Sequence, residues 1–344
     1  MNPIATARLF DWSAAFVHPV TLGLTVGLVV ALLLAPVVIW ALARAGSIGP
    51  DLRRELFRRY WSWLLIVPLL LVPILLGAFW TITGIGILSV LCYREYSRAT
   101  GLFREKLLSL VLVAGIIALS LATLDNWYRL FAALTPLTVA ALAAVALLAD
   151  RPQGYIQRVG LAVLGFLLFG TALTHLAWFA NDRNYRPYLI LIILSVEAND
   201  VFAFCCGKLF GRRKLAPHTS PNKTVAGALG AVLLTTSLVI GVGWFLFAPD
   251  MLSGHGVTRI QELRYLALFG ALISVVGQLG DLMLSAIKRD IGIKDMGAVI
   301  PGHGGLLDRF DSLILVAPAA FHYANYLAGI GLDRPIKIFS GGGS

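Results

Sequence analysis

Long apolar blocks separated by short charged stretches fill most of the chain from about residue 19 to residue 331. Most blocks approach the roughly 20 apolar residues that an α-helix needs to cross a bilayer. The ten segments lie at about 19–43, 61–78, 80–93, 107–124, 127–148, 159–179, 187–206, 225–248, 264–287 and 311–331. The pattern therefore predicts an all-α polytopic membrane protein with about ten transmembrane helices.

The division of residues 61–93 decides the topology, because this nearly unbroken run is too long for one span and short for two. Gly77, Gly84 and Gly86 favour a turn inside it. Two spans place most of the 28 lysines and arginines on one side of the membrane, and basic residues favour the cytoplasmic side. We therefore expect two spans, both termini outside and the longest polar loops in the cytoplasm.

Composition supports a membrane protein and argues against nucleic-acid binding. Hydrophobic residues make up 58% of the chain and charged residues 13%, against about a quarter in soluble domains. The net charge of +10 is carried between apolar blocks, as topology and anionic headgroups require, so no nucleic acid is expected as a partner. The three cysteines lie in apolar stretches and show no metal-site spacing.

Acidic side chains occur where a spanning helix meets a polar loop near the C-terminal end of the chain. In a helix, Asp281, Ser285 and Lys288 would lie on one face. Asp308 and Asp311 open the following helix. An intramembrane aspartate is unfavourable unless it is paired, here by Lys288, or bound to a cation.

A glycine-rich turn, which contains His303, Gly304 and Gly305, separates these two acidic groups. Glycine lets backbone N–H groups approach an anion closely. Carboxylates that hold Mg²⁺, basic side chains and such a turn are what phosphoryl and nucleotidyl transfer use. No Walker-type loop is present, so a common ATPase loop does not explain the pattern.

A second polar stretch follows Asp200, another intramembrane aspartate. The basic loop after it, with Lys214, is in most proteins only a cytoplasmic anchor. Ser220, Lys223 and Thr224 just before an apolar helix are better indicators of function, because hydroxyls and backbone donors at a helix N-terminus form a natural phosphate site.

These two stretches together resemble the phosphatidate cytidylyltransferase (CDP-diacylglycerol synthase) family. Its signature corresponds here to Ser285, Lys288-Arg289, Lys294-Asp295, Pro301-Gly302-His303-Gly304-Gly305 and Asp308-Arg309-Phe310-Asp311. The second stretch is similar to the family's block that ends in Ser-Pro-x-Lys-Thr, and the resemblance covers about residues 53–331. Val225, Ala226 and Leu284 depart from the family pattern and indicate a divergent branch.

The resemblance implies roles for individual residues. Catalytic roles would fall to Asp281, Lys288, Arg289, Lys294, Asp295, His303, Asp308, Arg309 and Asp311. Substrate-binding roles would fall to Asp200, Lys214, Ser220, Lys223, Thr224, Ser285, Gly304 and Gly305. Asp281 and Asp311 would hold Mg²⁺ with Asp308 nearby, and a second cation stays open. The implied partners are CTP, phosphatidic acid and membrane lipids, in a homodimer in a bacterial inner membrane.

The expected organisation has an extra transmembrane helix in residues 1–50, a CDP-diacylglycerol synthase-like domain in 51–335 and an added linker in 340–344. Three other functions stay open. A transporter would use the intramembrane aspartates as an ion path, a CTP-using lipid kinase would transfer the γ-phosphoryl group, and an inactive relative would serve as a scaffold. A cytidylyltransferase-like relative acting on another lipid phosphate is a further alternative.

Overall fold

Ten long helices follow one another along the described part of the chain and account for most of its length. The computed structural model describes residues 7, 9–182, 184–246, 259–297, 304–328 and 337–340. The helices are α1 (Pro19–Arg44), α2 (Pro50–Leu76), α3 (Ala78–Thr100), α4 (Lys106–Leu124), α5 (Tyr128–Leu147), α6 (Tyr155–Phe179), α7 (Tyr185–Phe210), α8 (Val225–Leu246), α9 (Arg259–Asp290) and α10 (Leu307–Ala328).

Within the described residues, eight of these helices are long and apolar enough to cross a membrane. The other two, α3 and α10, carry more polar and charged side chains, among them Arg94 and Glu95 in α3 and Asp308 and Asp311 in α10. The prediction of an all-α polytopic membrane protein is confirmed. The count of about ten crossings stays a prediction.

A break at Gly77 separates α2 from α3, as the turn predicted inside residues 61–93 requires. Gly77 has φ +132°, a conformation that L side chains rarely adopt, and a Cβ there would lie 2.6 Å from the carbonyl oxygen of Leu9. Gly84 and Gly86, which were also candidates for the turn, lie inside α3. The position of the break therefore follows from backbone conformation and from close contact with the N-terminal segment.

Arg186, at the start of α7, satisfies the carbonyl groups that the break leaves open. Its buried guanidinium donates to the carbonyls of Ile74 at 3.2 Å and Leu75 at 3.4 Å, and also to that of Asp11. The hydroxyl of Tyr185 donates to the Ile74 carbonyl at 2.8 Å. Since freed backbone groups at membrane depth must find partners within the protein, these side chains make the interruption tolerable.

The most buried part of the bundle lies where α6 meets α10. The side chains of Trp178, Phe179 and Phe321 are fully buried, and the rings of Phe179 and Phe321 meet edge to face at 5.6 Å. A π-helical segment, Phe166–Ala172, interrupts α6 just before this cluster. The C-terminal half of α10 thereby packs into a buried aromatic cluster.

A two-stranded antiparallel hairpin fills the loop between α7 and α8, where the sequence predicted no regular structure. It consists of β1 (Lys214–Ala216) and β2 (Ser220–Thr224), with Lys214 opposite Thr224. The Thr224 hydroxyl accepts a hydrogen bond of 3.1 Å from the backbone N–H of Gly227, so β2 leads directly into α8. Because Lys223 lies in β2, the hairpin fixes the position of its backbone.

Replacing Gly77 with alanine is expected to lower the free energy of unfolding by about 1–3 kcal/mol, because the positive φ would be strained. Thermal unfolding in detergent micelles measures the change. The matched control is Gly27→Ala in α1, where an added Cβ meets nothing within 4 Å. Equal midpoints for the two variants would contradict this account of the break.

Candidate active site

Asp281 and Ser285 share one face of α9, as predicted from their spacing. The Ser285 hydroxyl donates to Oδ1 of Asp281 at 3.2 Å. Lys288 was one candidate partner for Asp281 on its own helix, but Oδ2 of Asp281 pairs instead with Nζ of Lys223 at 2.5 Å. This ion pair ties the hairpin between α7 and α8 to α9.

Asp308, at the start of α10, holds the polar turn in place. Its Oδ1 accepts from Nζ of Lys288 at 2.8 Å, and this pair is largely buried. Its Oδ2 accepts from the backbone N–H groups of Met296 and Gly305, both at 2.9 Å. Both carboxylate oxygens are therefore engaged within the protein, which gives Asp308 a positioning role here, and its predicted role near a metal stays a prediction.

Glu95, a residue that the sequence analysis did not single out, caps the N-terminus of α10. Its two carboxylate oxygens accept from the backbone N–H groups of Leu306 at 2.9 Å and Leu307 at 2.8 Å. A carboxylate at this end of a helix satisfies otherwise open donors and complements the helix dipole. A Cβ on Gly305 would lie 2.5 Å from Glu95, so glycine is needed there.

Glu95 was missed because it stands beside Arg94 at the polar end of α3, where it is easily taken for part of a cytoplasmic charge cluster. Its burial is the distinguishing property: Glu95 is 8% exposed. Glu95 follows directly after the predicted apolar segment 80–93, between Arg94 and Arg98, so its surroundings in the sequence resemble those of an ordinary loop charge. The helix N-terminus that it caps lies 211 residues further along the chain, beyond the reach of a local pattern.

Three carboxylates from three helices meet at the centre of the site: Asp200 of α7, Asp281 of α9 and Asp311 of α10. Each lies close enough to the others to interact electrostatically. Asp311 is buried, Asp281 is half-buried and Asp200 retains exposed surface, so the cluster is accessible from the Asp200 side. A Cβ on Gly280 would lie 2.8 Å from the Asp311 carbonyl, so glycine permits the close approach of α9 and α10.

Three cationic side chains surround these carboxylates. Lys223 interacts with Asp200 as well as with Asp281, and Lys288 reaches both Asp308 and Asp311. Arg309 lies within electrostatic range of Asp200 and of Glu197. The site thus combines hard oxygen donors with positive charge, the pairing that phosphate-bearing substrates require.

The side chain of Arg309 has a donor still to be satisfied. Its Nε is buried and, among the residues that the structure describes, makes no hydrogen bond. An unsatisfied buried donor is unfavourable. The Arg309 guanidinium adds positive charge beside the acidic cluster.

The other predicted site residues lie around this centre. Arg289 is exposed and donates to the carbonyls of Thr219 at 3.4 Å and Ile293 at 3.3 Å, which connects α9 to the hairpin. Lys214, Lys294 and Asp295 are exposed. Ser220 begins β2, and Thr224, which is buried, ends it directly before α8. Gly304 has φ +81° and lies next to Asp308. His303 lies outside the described residues.

The donor chemistry of the carboxylate cluster fits a divalent cation. Mg²⁺ binds through one or two carboxylates and completes its coordination with waters and substrate phosphates. Among the described residues, no three His, Cys, Asp or Glu side chains form a metal cage by themselves. A cluster of repelling carboxylates open on one side agrees with an ion held jointly by protein and substrate, and magnesium stays a prediction.

Comparison with known proteins gives consistent similarities. A model described as the cytidylyltransferase family matches residues 57–327, so α1 lies outside the match. An uncharacterised protein of Escherichia coli K12, YnbB, is 37% identical over 209 residues, which are 58% of this chain and 65% of that protein. The chain thus matches slightly less than two thirds of YnbB.

Other relatives carry a functional name. The phosphatidate cytidylyltransferase of Bacillus subtilis is 34% identical over 227 residues, or 63% of this chain and 80% of that protein. The phosphatidate cytidylyltransferase of Staphylococcus haemolyticus is 36% identical over 155 residues, or 45% of this chain and 52% of that protein. The match to the second protein covers less than half of this chain.

Replacing Glu95 with alanine is expected to destabilise the start of α10, because the backbone N–H groups of Leu306 and Leu307 lose their acceptor. Each lost acceptor should lower the free energy of unfolding by about 1–3 kcal/mol. Hydrogen exchange at the amides of Leu306 and Leu307 should accelerate, and the thermal midpoint in detergent should fall. Glu105→Ala is the matched control, since Glu105 makes no side-chain cap at the start of α4. Unchanged exchange at the two amides would refute the capping role.

Proposed function

The chain belongs to the cytidylyltransferase family, and from this premise we propose that it acts as a phosphatidate cytidylyltransferase. It transfers the cytidylyl group of CTP to phosphatidic acid and yields CDP-diacylglycerol and pyrophosphate. The observation that carries the proposal is the convergence of Asp200, Asp281 and Asp311 with Lys223 and Arg309. The names of the Bacillus and Staphylococcus relatives support the choice of substrates.

The polar residues divide naturally between two phosphate-bearing substrates. The hairpin and the N-terminus of α8, with Lys223, face the cluster from the loop between α7 and α8 and receive the triphosphate of CTP. Arg309 approaches from α10 and offers the positive charge of its guanidinium to the phosphate of the lipid. Glu197 and Asp200 lie within electrostatic range of this guanidinium.

The reaction is an in-line displacement at phosphorus. A lipid phosphate oxygen attacks the α-phosphorus of CTP, and the electron pair of the breaking bond leaves with the bridging oxygen as pyrophosphate. The attacking oxygen is already anionic, so positioning and charge compensation matter more than proton transfer. Lys223, Lys288 and Arg309 balance the charge on the substrates, while Asp308 and Glu95 hold α10 and its arginine still.

Asp281 and Asp311, with Asp200 beside them, would hold Mg²⁺. When bound, the ion would neutralise phosphate oxygens and favour departure of pyrophosphate. Because each carboxylate projects from a different helix, the packing of the three helices sets the positions of the carboxylates relative to one another.

The protein is an integral membrane protein, and we propose that it resides in a bacterial inner membrane with the site facing the cytoplasm. The basic loops beside the site support this orientation. CTP is a cytoplasmic substrate and phosphatidic acid is a bilayer lipid, so a site at the helix ends reaches both. A homodimer stays a prediction.

Purified protein in mixed micelles with CTP, Mg²⁺ and phosphatidic acid is expected to form CDP-diacylglycerol and pyrophosphate, read by mass spectrometry of the lipids. Asp311→Asn should reduce the rate at least about a hundredfold, because it removes a proposed metal ligand. Asp290→Asn, an exposed aspartate at the end of α9, is the matched control and should keep the rate. Chelation of Mg²⁺ should abolish product.

Other outcomes would redirect the proposal. A lipid phosphate with CDP as the second product would identify a kinase. CTP binding without a product from phosphatidic acid would point to another lipid phosphate as acceptor. Absence of both product and CTP binding would overturn the enzymatic function and favour a transporter or scaffold.

A further inference from the structure

Two apolar cavities adjoin each other on either side of α2. The first, of about 430 Å³, lies between α1, α2 and α7, and the second, of about 330 Å³, lies between α2, α3, α7 and α10. Leu70, Ile74 and Ile193 line both. Volumes in this range are typical of ligand pockets. The pair therefore forms a divided apolar space rather than two unrelated gaps.

Helix α1 supplies one wall of the first cavity. Leu28, Ala31, Leu32, Ala35 and Ile39 line the cavity at helical spacing, so they form one face of α1. The opposite face of this helix exposes a second set of apolar side chains, including Val26, Val30, Leu34 and Val37. One face of α1 is thus turned to the cavity and the other to the surrounding lipid.

The first cavity is long and nearly free of polar groups. It extends along α2 from Leu56 to Ile74, which at the rise of an α-helix is about 27 Å. The hydrocarbon of one leaflet is about 15 Å deep, half of the bilayer core. Arg59 and Tyr60 lie towards the Leu56 end, at the level of headgroups in the predicted topology. An extended hydrocarbon chain fits this shape and chemistry.

Each cavity also borders the acidic site. Glu197 lines the first cavity, lies one turn before Asp200 on α7 and interacts electrostatically with Asp200 and Arg309. Leu306 and Phe310 line the second cavity and flank Arg309 in sequence. A molecule with two hydrocarbon chains and one phosphate could therefore reach both cavities while its phosphate remains beside Arg309.

We propose that the two cavities hold the two acyl chains of the lipid substrate, and that α1 sets the chain length accepted by the first. The inference rests on the proposed function and assigns the occupant as a diacyl glycerophosphate rather than a single-chain lipid. Helix α1, which forms this wall, lies outside the residues that the family model matches. The guanidinium of Arg309 provides the complementary charge for the phosphate.

The test fills the first cavity from α1. Ala35→Trp places a large ring in it, and Ala41→Trp on the exposed part of the same helix is the matched control. The ratio kcat/KM is measured for dipalmitoyl and dioctanoyl phosphatidic acid. Ala35→Trp should lower the value for the long lipid at least about tenfold, because methylenes lose their pocket, and leave the short lipid within about twofold.

A general structural effect would lower kcat/KM for both lipids equally in Ala35→Trp, and that result would overturn the inference. The inference would also be overturned if Ala35→Trp kept the wild-type preference between the two lipids, that is, the same quotient of their kcat/KM values. Full activity in Ala41→Trp, with unchanged binding of CTP in both variants, shows that the added ring is tolerated and that the nucleotide site is intact.

A second measurement does not depend on turnover. Phosphatidic acid with a diazirine in one acyl chain is photolysed with the protein, and labelled peptides are mapped. Labelling of Ala31, Trp63 and Ile193 that is competed by phosphatidic acid but not by phosphatidylcholine supports the inference. Labelling confined to the outer face of α1, equal for both lipids, overturns it.

The two measurements separate this inference from the proposed function. If the wild-type protein makes no CDP-lipid but the cavity is labelled selectively, the reaction is wrong and the diacyl site stands. If CDP-diacylglycerol forms but the cavity is not labelled, the reaction stands and the acyl-chain site is wrong.

Discussion

Charged side chains inside an apolar helix bundle must be matched by opposite charge, by hydrogen bonds or by an ion, because desolvated charge is strongly unfavourable. Asp200, Asp281 and Asp311 impose this requirement on the whole C-terminal half of the protein. It accounts for Lys223 on the hairpin, Lys288 on α9 and the close approach of α9 to α10 at Gly280. The packing of α7, α9 and α10 thus brings the cationic side chains next to these carboxylates.

The acidic residues fall into two groups with different environments. Asp308 and Glu95 have both oxygens engaged by lysine or backbone donors, so they stabilise the turn and the start of α10. The central carboxylates interact with one another and remain accessible from one side. Rigid support around a strained cluster of like charge is the arrangement that favours preorganised binding of a cation and phosphates.

Local patterns were sufficient to predict the helices and the shared face of Asp281 and Ser285. Hydropathy and the glycines identified the interruption in residues 61–93, although only Gly77 forms the break. The partner of Lys288 could not be read in this way, because the choice between Asp281 and Asp308 depends on how α9 and α10 pack. The hairpin and the cap by Glu95 depend on similarly distant contacts.

The contact between Arg186 and the end of α2 has a consequence for biogenesis. Arg186 is 112 residues downstream of Ile74, whose carbonyl it satisfies, and several helices are synthesised between the two. During chain-ordered synthesis, the interruption after α2 enters the translocon before its arginine exists. Until α7 has been made, the carbonyls at the end of α2 therefore lack the side-chain donors that satisfy them in the folded protein.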